Sequence, residues 1–202
     1  MDSDEALLAS WRDGDQRAGR ALFARHVDGV SRFFLSKVTV GVEDLVQHTF
    51  LALLERSREL PVGVPVRAYL FGIARNLLLR RFRDQYRDGR HFDELATSVA
   101  DLGTTPSVLT DQRQQLVVLY AALQALPLDL QIALELFYWE TLSAGEIGVV
   151  LGLPEGTVRS RLRRARELLA EAVQRLGSGA ETPSPEALEG WARELRDRIG
   201  RG

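Results

Sequence analysis

Thr157, Arg159, Ser160, Arg163 and Arg164 bring three guanidinium groups and two hydroxyls together within eight positions. Arginine presents a rigid planar fork of donors that matches phosphate oxygens or the two acceptors on guanine's major-groove edge. The hydroxyls bond to phosphate or to base. Val158, Leu162, Ala165, Leu169, Ala172 and Leu176 recur through the same stretch at helical period, so the spacing predicts one helix with arginines opposite an apolar seam. A solvated face on a core helix, with Glu155 and Glu167 as local ion-pair partners, has the same composition. The preceding residues separate the two readings. Ser143 and Glu146 have capping-box spacing, and Ile147, Val150 and Leu151 give a short helix one buried side. Gly152 can take the left-handed conformation that ends that helix, and Pro154 suits the first turn of the next. Short helix, tight turn and arginine-faced helix together predict a DNA-binding helix-turn-helix.

Two other stretches carry candidate chemistry. From about Val42 to Arg58, Val42, Leu45, Val46, Thr49, Phe50 and Leu53 fall on one helical face, while Asp44, Gln47, His48 and Leu51 fall on another. Asp44 in the first turn suits the helix dipole; equally, the set reads as a polar docking face with Leu51 as its apolar anchor. From Arg67 a further helix buries Tyr69, Leu70, Ile73, Ala74, Leu77 and Leu78, and its outward side reads Phe71, Arg75, Leu79, Phe82, Arg83 and Tyr86. Aromatic rings interleaved with arginine suit single-stranded nucleic acid, since rings stack on unpaired bases while arginines follow the backbone. The competing reading packs Phe71 and Phe82 against the helix at about Gln16 to Lys37.

These pieces need an all-helical frame. The 202 residues suffice for one large or two small domains, and the absence of cysteine excludes disulfides and thiolate metal sites. No apolar run is long enough to span a bilayer, and the N-terminal MDSDEALLASWRDGD lacks the order of a signal peptide, which points to a cytoplasmic chain without membrane insertion. The net charge of −2 hides segregation, because arginines crowd into 75–90 and 159–166. Ser3 or Asp4 caps a first helix with Leu7, Leu8 and Trp11, and Asp13-Gly14-Asp15 reads as a turn. The next helix, to Lys37, buries Leu22, Phe23, Val27, Val30, Phe33 and Phe34, and 60–65 forms a loop. Between His91 and Gln112 there is no lysine or arginine, and Gly103 and Pro106 punctuate an acidic linker. A helix from near Gln114 stops before Pro127, and the crowded apolar helix Leu128–Phe137 is mostly buried or lends a face to a partner. After Leu176 a Gly/Ser/Pro joint leads to an amphipathic stripe, Leu188, Trp191, Ala192, Leu195 and Ile199, which folds back or docks on a partner. The expected division is 1–90, a linker 91–112, 113–176, and a tail 177–202.

The order of the motifs carries a family likeness. Glu43-Asp44-Leu45-Val46-Gln47-His48-Thr49-Phe50 looks like the core-binding helix of sigma region two, and Phe71-Gly72-Ile73-Ala74-Arg75-Asn76 looks like the promoter-melting helix. Leu126-Pro127, Leu142-Ser143, Glu146-Ile147 and Gly156-Thr157-Val158-Arg159-Ser160-Arg161-Leu162 look like sigma region four. On these residues the chain resembles the sigma-70 superfamily, in its small two-domain extracytoplasmic-function (ECF) group, from about Leu7 to Leu176. The resemblance implies a bacterial factor that binds RNA polymerase core and directs it to promoters without catalysis or cofactor of its own. It implies that Asp44, Gln47, His48 and Leu51 face the clamp helices of the β′ subunit, with the helix Leu128–Phe137 helping to seat the β-subunit flap. Phe71, Arg75, Asn76, Leu79, Arg80 and Arg83 would contact melting promoter DNA, with a flipped base near the loop 60–66. Thr157, Arg159, Ser160, Arg163 and Arg164 would read the upstream duplex element. The linker would thread the path of nascent RNA, and an anti-sigma factor would be a partner. His48 departs from the family pattern, which often has an acid there.

Two other function classes fit parts of the pattern. A dimeric helix-turn-helix repressor or activator has no need of the Asp44/Gln47 face or the aromatic-basic helix. A recombinase-like enzyme needs a catalytic constellation, and His26, His48 and His91 lie far apart without metal-ligand spacing.

Overall fold

The computed structural model describes residues 2–61, 63–85, 93, 96–101 and 114–177, and at the C-terminal end 190, 193–194, 196–197 and 199. Within these residues the elements are α1 (Asp4–Arg12), α2 (Gln16–Leu35), α3 (Val42–Glu55), a 3-10 turn (Ser57–Glu59), α4 (Val66–Gln85), α5 (Gln114–Gln124), α6 (Leu128–Tyr138), α7 (Ala144–Leu151) and α8 (Glu155–Leu176). No strand is formed among the described residues; one isolated antiparallel bridge joins Ser98 to Pro127. No helix among them is long and apolar enough to cross a membrane.

Local chemistry sets the helix ends. Ser3 caps α1 by accepting from the amide of Ala6 at 3.2 Å, and Asp15 caps α2 by accepting from Arg17 N–H at 2.8 Å. Helix α3 starts after Gly41 in the left-handed region with no side-chain cap, so Glu43 and Asp44 supply the negative charge its N-terminus favours. At α7 the capping box is complete. Ser143 N–H donates to Glu146 Oε2 at 2.8 Å, and Glu146 N–H donates to Ser143 Oγ at 3.3 Å. Gly152 ends α7 with φ +68°, and Pro154 sits at the N-cap of α8, one step before the first turn.

Helices α1–α4 pack around Leu22, Phe34, Leu53, Leu70 and Leu78, all fully buried. Helices α5, α6 and α7 pack on α8, whose Val158, Leu162, Ala165, Leu169 and Ala172 are buried as its period requires, together with Val173; Leu176, expected at the end of the seam, is 45% exposed because it lies in the last turn. Burying a large aliphatic side chain contributes roughly 1.5–3 kcal/mol, so this seam holds a helix that is otherwise mostly charged. The two modules are docked through α4 against α7, where the α-carbon of Val150 stands 4.0 Å from the position of a Cβ on Gly72.

That docking overturns one expectation. Phe71, Arg75, Leu79 and Phe82 are buried rather than outward. Phe71 meets Phe33 of α2 edge-on, 5.9 Å between ring centres, as the packing alternative has it. A two-faced reading of α4 fails because both its faces are covered, one by its own module and one by α7. Phe23, expected in the core, is 39% exposed beside Phe50. Tyr86 lies outside the described residues, as do His91 and most of the linker and tail.

The described part of the linker is tied down. Leu128 N–H donates to the Thr97 carbonyl at 3.0 Å, and Ala100 N–H to the Gln124 carbonyl at 3.1 Å. Val99 is fully buried. Ser98 donates its amide and hydroxyl to Asp101, which holds that carboxyl below its ordinary value. Residues 97–101 therefore belong structurally to the α5–α6 corner. Ile199, the one residue of the C-terminal apolar stripe that is described, is fully buried in the core, which fits a tail that folds back.

The α7–α8 turn is tight because Leu153 N–H donates to the Gly148 carbonyl at 2.9 Å, and a Cβ on Gly148 would lie 2.5 Å from the Leu153 oxygen. Gly148→Ala is therefore expected to destabilise the second module by about 1–3 kcal/mol. Differential scanning calorimetry checks this, with a Tm loss of roughly 2–4 °C per kcal/mol.

Candidate nucleic-acid interface

The helix-turn-helix presents its arginines to solvent. On α8, Thr157, Arg159, Ser160, Arg163 and Arg164 are all exposed, on the side away from the buried seam. Their internal partners are weak: Arg159 pairs with Glu155 at 2.5 Å, and Arg163 and Arg164 approach Glu167 at 3.8 and 3.4 Å. Such exposed pairs contribute about 0–1 kcal/mol, so a phosphate or a guanine edge can displace the carboxylates. Ser160 Oγ donates to the Gly156 carbonyl at 3.2 Å, which leaves its lone pairs outward.

On α3 the spacing i, i+3, i+4, i+7 places Asp44, Gln47, His48 and Leu51 on one exposed strip. Leu51 is 51% exposed at its end, a solvent-facing apolar side chain with no core role. His48 Nδ1 lies 2.7 Å from the Asp44 carbonyl oxygen, which fixes the ring along the strip. Behind it, Thr49 donates to the Leu45 carbonyl at 2.7 Å and stays buried.

The α4 set divides. Asn76, Arg80 and Arg83 are exposed, with Arg80 only loosely near Asp84 at 4.0 Å. Phe71, Arg75 and Leu79 are buried. Arg75 donates from Nη2 to Asp129 Oδ1 at 2.8 Å, and Arg161 of α8 donates to the other oxygen of Asp129 at 2.9 Å. One carboxylate on α6 thus joins the middle of α4 to the start of the recognition helix.

Two more acids of the second module reach across in the same way. Glu140 receives Arg32 at 2.9 Å and Arg67 at 3.2 Å, and Arg67 also donates to its carbonyl. Glu135 receives Lys37, Ser36 and Gln131, the last two at 3.2 and 2.8 Å. Lys37 completes its shell with the Phe33 carbonyl at 2.8 Å and Ser36 Oγ at 2.9 Å, and its ammonium lies 4.1 Å from the centre of the Phe33 ring. Burial pushes the Lys37 ammonium below its ordinary pKa and the Glu135 carboxyl above its own, against their mutual attraction.

None of Arg32, Lys37, Arg67, Asp129, Glu135 or Glu140 stood out in the sequence as a site residue. The available signal was Asp129, Gln131 and Glu135 inside the apolar run of α6, polar groups that a buried helix must pair. His26 is buried with Nε2 2.7 Å from Asp4 Oδ2 and helps hold α1 on α2.

Breaking a buried pair leaves a charge stranded, whereas replacing both members by apolar groups does not. Lys37→Met is expected to cost the docked form about 3–5 kcal/mol, and Lys37→Met with Glu135→Leu to recover most of it. Urea titration followed by tryptophan fluorescence tests the contrast, Trp139 lying buried in the second module.

The two modules each match a known domain. The description "Sigma-70 region 2" fits residues 22–88, and "Sigma-70, region 4" fits residues 116–169. The chain is similar to the RNA polymerase sigma factor CarQ of Myxococcus xanthus, 35% identical over 173 residues, covering 84% of this chain and 97% of CarQ. It is 30% identical over 165 residues to the ECF RNA polymerase sigma factor SigL of Mycobacterium tuberculosis, covering 78% and 90% of the two chains. Among solved structures it superposes on CnrH in complex with the cytosolic domain of CnrY, with TM-score 0.63, 28% identity, and coverage of 86% and 99%. It shares the fold of the sigma factor RpoE solved with the anti-sigma factor NepR from Bartonella quintana, with TM-score 0.57, 24% identity, and coverage of 77% and 96%.

Proposed function

This chain belongs to the sigma-70 family, in its ECF group, and on that premise we propose how its exposed faces divide the work of promoter recognition. It is a bacterial sigma factor that binds RNA polymerase core and directs promoter-specific initiation. It acts in the cytoplasm, where that enzyme works. Residues 1–90 form the region-two module and 113–176 the region-four module, with 91–112 between them and 177–202 as a tail.

On this reading Asp44, Gln47, His48 and Leu51 dock on the β′ clamp helices, and the exposed Leu51 is the apolar anchor. Arg75, Asn76, Leu79, Arg80 and Arg83, with Phe71 behind them, serve the melting promoter. Thr157, Arg159, Ser160, Arg163 and Arg164 read the upstream element in the major groove, and α6 helps seat the β flap. An anti-sigma factor is a partner by analogy with the complexes solved for its structural neighbours. No covalent chemistry is required of the chain: capture of unpaired bases offsets an unpairing cost of roughly a few kcal/mol.

The observation that carries the reading is two sigma modules in family order, with the arginine face of α8 and the polar strip of α3 both open to solvent. A dimeric repressor would leave the α3 strip without a purpose. Run-off transcription with purified core polymerase on a promoter library tests the function directly, and failure on every template overturns it.

Arg163→Ala is expected to lose about 1–3 kcal/mol of upstream-element binding if it reads a guanine, or to weaken all sequences equally if it holds a phosphate. Electrophoretic mobility shifts on matched and mismatched duplexes distinguish the two. Asp44→Ala should instead weaken comigration with core polymerase on a sizing column and leave duplex binding by the free chain unchanged. Equal effects of both changes on both assays would undo the division.

A further inference from the structure

Four glycines lie in the helix-turn-helix, and the fold accounts for three of them. Gly152 takes φ +68°, and a Cβ on Gly148 would strike the Leu153 oxygen at 2.5 Å. Gly145 sits under Glu155, whose Oε2 lies 3.7 Å from where a Cβ would stand. Gly156, the second residue of α8, has no such reason. Its φ is not positive, and no neighbouring atom lies within 4 Å of a Cβ built on it. Glycine disfavours a helix more than any residue except proline, so the fold alone would prefer alanine at this position.

On the sigma reading above, we propose that Gly156 is bare because DNA comes against the α8 backbone there, and that it sets how deeply the recognition helix enters the major groove of the upstream element. At about 100° per residue, Gly156 and Ser160 fall on the line of α8 opposite Val158, Leu162, Ala165 and Leu169. Both are exposed, and they are the part of the first two turns farthest from the core. The long side chains nearest to them are drawn aside. Arg159 reaches back to Glu155 at 2.5 Å, and Arg161 turns to Asp129 of α6 at 2.9 Å. Arg163 and Arg164 stand about two turns farther along. The start of α8 thus has a low middle between taller flanks.

Ser160 depends on that low middle. Its hydroxyl is held 3.2 Å from the Gly156 carbonyl, so it stays close to the helix surface. It reaches a base edge only when the backbone itself is near. A methyl group at position 156, one turn earlier, holds the helix out. Arginine side chains are long enough to bridge the added gap to phosphate, which carries no sequence information. Depth therefore matters more for reading the sequence than for attraction to the duplex.

The proposal gives the fold and the DNA opposite responses to one substitution. The experiment reconstitutes holoenzyme from purified core with the wild type, Gly156→Ala or Gly156→Leu. Run-off initiation is titrated against a promoter that the wild type uses, and against the same promoter with its upstream element scrambled. Gly156→Ala should melt about 1–3 °C higher in calorimetry of the free chain, as glycine-to-alanine changes in exposed helices do. It should comigrate with core as the wild type does. It should need at least about tenfold more of the intact promoter for half-maximal initiation, the scale of one mismatched base pair. Gly156→Leu should need more still. On the scrambled promoter both variants should match the wild type.

An unchanged half-saturating concentration for Gly156→Ala overturns the proposal. So does an equal loss on the scrambled promoter, because the glycine would then not serve readout of the element. A loss accompanied by a lower melting temperature or weaker comigration overturns it too, since the glycine would then serve the fold or the docking on core. Failure of the wild type on every template sinks the sigma reading and the role of Gly156 with it. Success of the wild type beside an unmoved Gly156→Ala sinks the role of Gly156 alone.

Discussion

Asp129 is the group on which the arrangement turns. Its two oxygens hold Arg75 from the middle of α4 and Arg161 from the first turns of α8, each at hydrogen-bond distance. It sits at the start of α6 with its side chain almost wholly enclosed. A buried carboxylate needs hydrogen-bond partners for both its oxygens, and two guanidinium groups supply them. Because the arginines belong to different modules, satisfying one charge also fixes the orientation of α4 and α8 relative to each other. Glu135 and Glu140 repeat the device further along, so the docked form is specified by three directional ionic contacts around the apolar approach of α4 to α7.

Much of this was legible in the sequence, and what was not has a common cause. The capping box at Ser143 and Glu146, the left-handed Gly152 and the buried seam of α8 are local devices, set by neighbours within a few positions. The exposed strips Asp44/Gln47/His48/Leu51 and Thr157/Arg159/Ser160/Arg163/Arg164 followed from period alone, because each helix has one wet side. Helix α4 does not, because it is covered on both sides: Phe71 packs on Phe33 of α2, and Arg75 meets Asp129 of a second module that nothing within twenty residues announces. The same holds for Asp129 and Glu135 on α6 and Glu140 just after it, whose partners in the first module lie from 54 to 108 positions away in the chain. Long-range pairing leaves only an indirect trace, a polar residue in a run that should be apolar.

The two classes of contact also differ in what they resist. Arg159, Arg163 and Arg164 of α8 face water and pair only with neighbours on their own helix, so their cost of changing partner is small. Lys37 and Glu135 have given up solvent entirely, and each depends on the other's position. The exposed side chains can thus be redirected cheaply, and the relative placement of the modules rests on those that cannot.

The bridge from Ser98 to Pro127 bears on reach. With Thr97 and Ala100 hydrogen-bonded to the α5–α6 corner, the covalent span that can separate the modules is the ten residues 86–95 rather than the whole acidic stretch. Fully extended, that span covers at most about 36 Å, the axial length of roughly ten base pairs. Any greater distance between two half-sites on a straight duplex has to be made up by the breadth of the helical bodies themselves, or by peeling residues 97–101 away and exposing Val99. A few hydrogen bonds on a short segment thereby act as a ruler on how far apart the two modules can stand.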